Sequence, residues 1–325
     1  SSDLLDGKVH KLAAGTGNET LTSGWPIAVT LKPQNEKTSG AIGFAQSGGN
    51  TYLYVVSGGY PGDCCDYQGH VTTIDLATGA QKVFNANCSD MKAHLDIGDC
   101  STMQNAVWAR PGVVYHAAND AIYFATGNGN WNGSTNWSES ILRINADGSS
   151  AATGPVDSYT PANHGSLDGG DTDVGSTGPV ILASPKGATF AHLAAQSGKD
   201  GKLRLVDLDN LSGTGTPGNV GGEAGPIISV PQGGPVFGQP STFVDHADET
   251  TGLFVGNGSG LSALKLVLDG SHNPSLASGW QKPSSEGGHS PLIANAVLFS
   301  QRGGLRAYDP VKGSLLWSTT RISGQ

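Results

Sequence analysis

Charged side chains are scarce in this chain. Asp, Glu, Lys and Arg make up 14% of its 325 residues, with a net charge of −9 and no cluster of basic residues. This composition argues against nucleic acids and anionic membranes as partners. No apolar run approaches the roughly 18 residues that a membrane-spanning helix needs, no signal peptide is visible, and no long helical period occurs. We expect a single domain over residues 1–325 that acts on a small molecule or carbohydrate as a monomer.

What the chain does have is turn residues, 49 glycines and 17 prolines, and a repeated pattern. The pattern is a glycine, an alternating apolar segment, then Asp, Asn or Ala, and a closing turn. Each copy is typical of a strand that ends in a tight turn. Clear copies lie at Gly69–Gly79, Glu139–Gly148, Gly201–Asp209 and Gly304–Gly313, and weaker ones at Gly7–Gly15 and Gly258–Lys265.

Two further apolar segments precede most copies, and a fourth follows, as at Ser314–Ser318. The segments directly upstream are Thr51–Val56, Ala121–Ala125, Phe190–Ala194, Leu253–Val255 and Val297–Ser300, and the earlier ones are Ala41–Phe44, Ala106–Trp108, Pro179–Leu182, Ser241–Val244 and Pro291–Ile293. Four strands per unit at spacings of 45 to 70 residues indicate an all-β propeller of four-stranded antiparallel blades. Five complete units and a partial one over residues 7–31 favour six blades, with seven as the alternative. Residues 85–103 and 147–175 are polar insertions of the kind that carry sites.

The four cysteines allow three pairings. Cys88 and Cys100 bracket a short polar loop that a bridge between them would close, leaving Cys64 and Cys65 to form a vicinal disulfide. Crossed bridges to the same loop are the alternative, and free thiols are the third. We predict the bridges Cys88–Cys100 and Cys64–Cys65.

Sequons for N-linked glycosylation are twice as frequent as the roughly three that chance would give. They lie at Asn18, Asn87, Asn132, Asn136, Asn210 and Asn257. This excess favours a secreted eukaryotic glycoprotein and leaves a bacterial exported protein open.

The segment Ala125–Asn132 reads Ala-Thr-Gly-Asn-Gly-Asn-Trp-Asn and is followed in order by Tyr159–Pro161, Gly170–Leu182 and Gly198–Asp207. This series resembles the quinoprotein alcohol dehydrogenases, and the resemblance covers residues 104–210. Gly170 stands where that family has a tryptophan, and the chain shows no evident match for the arginine near the quinone carbonyls.

The resemblance implies a quinone-dependent oxidation of an alcohol or sugar. It implies calcium ligands at Asn128 and Asp171, with Asp173 as an additional ligand, and Asp171 as the catalytic base. It also implies pyrroloquinoline quinone held between the Cys64–Cys65 disulfide and Trp108. These residue types suit the chemistry, because hard oxygens bind Ca²⁺ and a carboxylate can accept the proton of an alcohol.

Position in the repeats gives a second set of candidates. Residues just before the innermost strands are expected at the mouth of the central channel, and they are Gln104, Asn105, Asp173, Ser176, Gln239 and His289, with His164 and His246 nearby. Such amide, carboxylate and imidazole groups suit a sugar, or acid–base catalysis at His289. The alternative function is therefore a cofactor-free propeller that binds or processes extracellular carbohydrate. Lys199 and Asp200 are predicted in a hairpin turn.

Overall fold

The computed structural model describes residues 6–22, 24–91 and 100–319, and their regular secondary structure consists almost entirely of short antiparallel strands. In chain order the strands are β1 (Lys8–Val9), β2 (Ile27–Ala28), β3 (Glu36–Lys37), β4 (Gly43–Ser47), β5 (Asn50–Val56), β6 (Gly58–Gly59), β7 (His70–Asp75), β8 (Gln81–Asn85), β9 (Val114–His116), β10 (Ala121–Ala125), β11 (Ile141–Asn145), β12 (Asp157–Tyr159), β13 (Val180–Ala183), β14 (His192–Ser197), β15 (Lys202–Asp207), β16 (Ile228–Ser229), β17 (Ser241–Asp245), β18 (Thr250–Asn257), β19 (Gly260–Leu268), β20 (Pro274–Pro283), β21 (Leu292–Ala294), β22 (Val297–Gln301), β23 (Leu305–Tyr308) and β24 (Leu315–Ser318). The α-helix α1 covers His164–Gly169, and two 3-10 turns cover Ala117–Asn119 and Val174–Ser176.

Five sheets have four strands each, in the orders β4-β5-β7-β8, β9-β10-β11-β12, β13-β14-β15-β16, β17-β18-β19-β20 and β21-β22-β23-β24. All pairings within them are antiparallel. The first strands of successive sheets lie side by side, with β4 beside β9, β13 beside β17, and β17 beside β21. This arrangement is consistent with a β-propeller and confirms the prediction of an all-β fold of four-stranded antiparallel units.

The middle strand β10 is apolar on both faces because its sheet packs between the first and the third sheets. Every residue of β10 is buried, and the pattern there is continuous rather than alternating, as expected for a strand covered on both sides. Two tyrosines tie neighbouring sheets together. The hydroxyl of Tyr54 donates to the carbonyl of Ala146 at 2.7 Å, and that of Tyr123 donates to the carbonyl of Leu208 at 2.7 Å.

The segment before the first full sheet forms a two-stranded sheet of β1 and β2. Its Trp25, Ile27 and Val29 pack against Val55 and Ile74 of that full sheet. The prediction of a two-stranded partial unit over residues 7–31 is therefore confirmed. A second two-stranded sheet joins β3 and β6.

One predicted inner strand is wrong. Ala106–Trp108 belongs to no sheet, and the first strand of the second sheet is β9 instead. The chain enters this segment through two consecutive residues in the left-handed region, Gln104 (φ 77°) and Asn105 (φ 57°). Its peptide groups then bond to loops on both sides, Val107 N–H to the Ser57 carbonyl and Gly127 N–H to the Ala106 carbonyl, each at 2.9 Å. The segment thus crosses between two sheets.

Both predicted disulfides are present, Cys64–Cys65 and Cys88–Cys100. Most of the loop that the second bridge closes, residues 92–99, lies outside the described residues, as does that part of the predicted insertion 85–103.

Among the residues that the structure does describe, no helix is long and apolar enough to cross a lipid bilayer.

The six sequons differ in accessibility. Asn87, Asn136 and Asn257 are buried, whereas Asn18 and Asn132 are exposed. The amide of Asn87 is part of a buried network in which Asn105 donates to its Oδ1 at 2.7 Å.

Non-reducing peptide mapping checks the cysteine connectivity. Trypsin cuts at Lys92, between the two cysteines of the longer bridge, so we expect segment 83–92 to remain joined to segment 93–143 until a reductant is added. Segment 38–82 should carry Cys64 and Cys65 with two hydrogens fewer than its reduced form. A cross-link from segment 38–82 to either partner would contradict the structure.

Candidate functional site

A cavity of about 430 Å³, called here the first cavity, opens between the crossing segment, the chain around β3 and β6, and the β14–β15 hairpin of the third sheet. Trp108 and Phe237 supply its aromatic lining, with ring centroids 6.5 Å apart. Its charged and polar lining consists of Lys37, Ser39, Asp63, Arg110, Asp173 and Lys199. Three cations and two carboxylates therefore surround an aromatic surface, which suits a flat ligand that carries negative groups.

Trp108 and Asp173 are held together at the centre of this wall. The indole Nε1 of Trp108 donates to Oδ2 of Asp173 at 3.1 Å. Gly127 lies against this pair, and a Cβ at its position would sit 3.0 Å from that carboxylate oxygen and 3.1 Å from the indole nitrogen. The glycine of the Thr-Gly-Asn segment is thus required for close packing, since any side chain would push into the bond.

Lys199 is the cation that contacts both Asp173 and Trp108. Lys199 lies in the hairpin between β14 and β15, which confirms the predicted turn. The backbone N–H of Lys199 donates to the carbonyl of Asp173 at 2.9 Å. The ammonium pairs with Asp171 and lies 3.3 Å from Oδ2 of Asp173 and 5.3 Å from the centre of the Trp108 ring. Both a carboxylate pair and an aromatic face thus hold one charge.

The two aspartates differ in environment. The side chain of Asp171 is 65% exposed, at the rim, whereas that of Asp173 is 3% exposed. Burial raises the pKa of Asp173 well above its ordinary value, and the Lys199 charge only partly opposes this. Burial also works to lower the pKa of Lys199, but hydrogen bonds and charges from the two aspartates outweigh it and raise that pKa. Lys199 therefore stays charged at neutral pH, while Asp173 can exchange a proton.

The vicinal disulfide lies at the edge of the same cavity. Gly62 and Asp63, which precede Cys64, line the space, and the two cysteines are exposed beside it. Asp63 is fixed on both carboxylate oxygens, by Tyr67 Oη at 2.6 Å and by Asn128 Nδ2 at 3.3 Å. Asn128 therefore joins the disulfide loop to the Thr-Gly-Asn segment through its amide.

Glu139 is a buried acid behind the wall. It precedes β11 with φ 51°, and its Oε2 accepts the N–H of Val174 at 2.7 Å, directly after Asp173. Among the described residues, neither its Oε1 nor Oδ1 of Asp173 has a hydrogen-bond partner. Burial raises the pKa of Glu139 to about 8, only partly offset by the Val174 hydrogen bond, so the side chain carries a proton at neutral pH.

The structure brings some of the predicted site residues together and separates others. Trp108, Asp173 and the disulfide loop meet at the first cavity, with Asp171 at its rim. His289 is exposed and lines none of the cavities described here. Gln239 bonds the backbone at Gly178 and Pro179, and Ser176 donates to the carbonyl of Val236. Among the described residues, no group of three or more His, Cys, Asp or Glu side chains is placed to hold one metal ion.

Gln104 and His164 lie in another place, a second cavity of about 460 Å³. Its lining comprises Gln104, Gly129, Asn130, Trp131, Ser138, His164, Gly165 and Asp168. A third cleft, of about 310 Å³ beside Trp280, contains none of the predicted site residues.

Sequence reasoning missed Lys199, Glu139 and Asp63 as site residues. Lys199 was predicted only as a turn residue. A lysine at a hairpin tip that follows an Asp-X-Asp segment within one repeat unit is a possible signal of an ion pair with those aspartates. Glu139 stands between serines at the start of an apolar strand, where an acid is unusual. Asp63 directly precedes the cysteine pair.

The chain is similar in structure to several solved alcohol dehydrogenases. The chain superposes on a europium-containing methanol dehydrogenase with a TM-score of 0.61 at 16% identity, covering 97% of this chain and 66% of that one. Quinohemoprotein alcohol dehydrogenases from Pseudomonas putida and Comamonas testosteroni give TM-scores of 0.61 and 0.60 at 15% and 16% identity, with 97% of this chain covered in each case. The chain spans 56% and 57% of those two. No protein-family model matches the chain, and neither does any curated protein. The fold is that of the quinoprotein alcohol dehydrogenases.

Glu139 should make stability depend on pH. Its pKa of about 8 in the folded protein exceeds the 4.5 of a free glutamate, so the folded state binds the extra proton and loses stability as pH rises from about 4.5 through 8. Between pH 6 and 8 we expect a decline of up to ~1.4 kcal/mol per pH unit from this group. Urea unfolding at pH 6, 7 and 8 should show it in the wild type. Glu139→Gln should flatten the slope, and an unchanged slope in that variant would contradict the assignment.

Proposed function

We propose that this chain is a quinoprotein-like oxidoreductase that oxidises an alcohol or a sugar in the first cavity. The observation that carries the proposal is the meeting of three separate segments at one space. They are the loop of the vicinal disulfide, the crossing segment with Trp108, and the buried Asp173 with its lysine. The fold similarity to dehydrogenases supports the class of reaction, and the substrate is left to experiment.

The residues present fit a quinone cofactor. Pyrroloquinoline quinone is a flat tricarboxylate, and the first cavity combines the Trp108 ring with the cations Lys37, Arg110 and Lys199. Arginine and lysine bind carboxylates through charge-assisted hydrogen bonds. When bound, such a quinone supplies the two-electron acceptor that amino-acid side chains lack.

A calcium ion has weak support from the donor set, because the Lys199 ammonium already pairs with Asp171 and lies 3.3 Å from Oδ2 of Asp173. Calcium takes six to eight oxygen ligands, and Asn128, Asp171 and Asp173 would supply at most a part of them. Backbone carbonyls, water or carboxylates of the cofactor would have to complete the shell. Calcium at these three residues stays a prediction. The six blades, the monomeric state and secretion also stay predictions, and the two disulfides favour secretion.

The protein's own part in the reaction would be proton transfer and positioning. Asp173 faces the cavity with a raised pKa, so its carboxylate can accept the hydroxyl proton of a substrate near neutral pH. The Lys199 ammonium and the Trp108 indole both contact Oδ2 of this carboxylate, which fixes its orientation. Asp171, at the rim, would hold Lys199 in place.

Direct binding tests the proposal. Titration of the full chain with pyrroloquinoline quinone, with and without calcium, should quench tryptophan fluorescence saturably and add near-ultraviolet absorbance. Lys199→Met should weaken this binding by about tenfold or more, because a charge-assisted contact is lost. Lys199→Arg should retain most of it, and Lys186→Met, at an exposed lysine outside the cavities, is the matched control. Absence of saturable binding to the wild type would overturn the proposal.

The two aspartates can be separated by kinetics. In quinone-loaded protein assayed with primary alcohols, aldoses and an artificial electron acceptor, Asp173→Asn should lower kcat by about 10² to 10⁴. Asp171→Asn should lower it by less than about tenfold, since that residue acts through Lys199. The opposite order would return the role of base to Asp171, as the resemblance implies, and would refute the assignment to Asp173.

A further inference from the structure

The second cavity has a lining unlike that of the first. Its floor is aromatic, with the Trp131 ring 4.3 Å from the His164 ring between centroids. The other side chains are two amides, a hydroxyl and a carboxylate, those of Gln104, Asn130, Ser138 and Asp168. Among the described residues, neither Lys nor Arg lines the cavity. Amide, hydroxyl and carboxylate groups around an aromatic face, without a cation, are suited to an uncharged polar ligand.

One buried group in this lining lacks a partner. Ser138, which is 1% exposed, is one of the lining residues, and its Oγ makes no hydrogen bond to any described residue. The Ser138 N–H donates to the carbonyl of Asn130 at 3.2 Å, which holds the backbone of this residue against the loop of Trp131. A buried hydroxyl without a partner costs free energy unless a ligand or water satisfies it.

A second observation is backbone strain at the same wall. Gln104 has φ 77° and is followed by Asn105 at φ 57°. The Gln104 backbone is clamped by hydrogen bonds from its N–H to the Tyr67 carbonyl and from Gly69 and Asn87 to its carbonyl. Two consecutive left-handed residues other than glycine are kept only where the surroundings impose them, and such places concentrate at functional sites. Here the strain leaves the Gln104 amide in the cavity.

Asp168 is positioned rather than free to move. Its Oδ1 accepts the N–H of Gly129 at 2.6 Å, which ties α1 to the Thr-Gly-Asn loop. Trp131 is anchored too, through a 3.2 Å bond from its indole to Oγ1 of Thr160. The polar groups and the aromatic floor therefore have fixed places before any ligand arrives, which lowers the cost of binding.

We propose that the second cavity binds a neutral sugar, a hexopyranose with its apolar ring face on Trp131 and its hydroxyls bonded to Gln104, Ser138, Asp168 and His164. A pyranose has both an apolar face of C–H groups and hydroxyls that donate and accept. Burial lowers the pKa of His164, although Asp168 opposes this, so the neutral imidazole offers one donor and one acceptor. Asp168 and the net charge of −9 disfavour acidic sugars.

This site is distinct from the first cavity but shares a wall with it. Gly127 lies against Trp108 and Asp173 on one side, whereas Gly129 bonds Asp168 on the other. The inference does not rest on quinone chemistry. Sugar binding is measured on the chain without quinone or added metal, so its failure and the failure of the proposed oxidation are distinguishable.

The experiment is calorimetric titration of the full chain with methyl β-D-glucopyranoside, methyl α-D-mannopyranoside and methyl β-D-galactopyranoside, with D-glucuronate as the acidic counterpart. We expect saturable binding of at least one neutral glycoside with a millimolar Kd, and binding of glucuronate at least tenfold weaker. No saturable binding of any neutral glycoside up to 100 mM, or tighter binding of glucuronate, would overturn the proposal.

Binding measurements on variants test whether the sugar binds in the second cavity. Trp131→Ala should raise Kd at least tenfold, Trp131→Phe should keep part of the affinity, and Ser138→Ala should raise Kd threefold to tenfold. His164→Ala, in the short helix at the cavity edge, is a second test if the tryptophan variant does not fold, which thermal melting reports. Trp317→Ala, at an exposed tryptophan on β24, is the matched control. Unchanged affinity in both Trp131→Ala and His164→Ala would show that the sugar binds elsewhere.

Discussion

A backbone-to-backbone contact between the second and third sheets is the constraint on which the site depends. A Cβ at Gly175 would lie 2.4 Å from both the carbonyl carbon and the oxygen of Thr126. The turn of residues 173–176 can therefore press directly on the end of β10 only because that position is glycine. The contact fixes the distance between the Asp173 segment and the Thr-Gly-Asn segment, and Trp108 and Asp173 of the first cavity pack against Gly127 at that join.

Charge is concentrated at this join at some expense in stability. Two acids, Asp173 and Glu139, are buried there, each with an oxygen that no hydrogen bond satisfies, and one lysine faces one of them. Such an arrangement is less stable than an apolar one of the same volume. Buried groups with shifted pKa values are common in sites that transfer protons. This is the physical reason to expect the catalytic site here rather than at the exposed His289.

The regular parts of this molecule could be predicted from local pattern. The repeat predicted the four-stranded units because each copy carries its own alternation and turn, and Cys88 and Cys100 bracket a loop short enough to close. Trp108 does lie close to Asp173 and to the disulfide loop, although its segment is not the strand that the pattern predicted. The path of this segment is set by two residues with left-handed backbone conformation and by backbone hydrogen bonds to two separate loops. Neither feature can be seen in the apolar periodicity of the sequence.

What the pattern could not predict are contacts that join distant segments. The side chain of Lys199 leaves a hairpin tip to meet Asp171 and Asp173, and Asp168 reaches from α1 to Gly129. Such contacts depend on how sheets are rotated against each other, which no single repeat encodes. The second cavity is assembled in this way from four separate segments, so its members looked like unrelated polar residues in the sequence.

Burial of the sequon asparagines has a consequence for how this chain could be made in a cell that attaches oligosaccharides during synthesis. An oligosaccharide on Asn87, Asn136 or Asn257 would have to be accommodated where the folded protein leaves no room, and on Asn87 it would displace the amide that meets Asn105. A polypeptide modified at those places before folding could not complete its core. The three buried sequons are therefore compatible with the folded state only when they are not glycosylated. Asn18 and Asn132 are exposed, so an oligosaccharide attached there would extend into solvent.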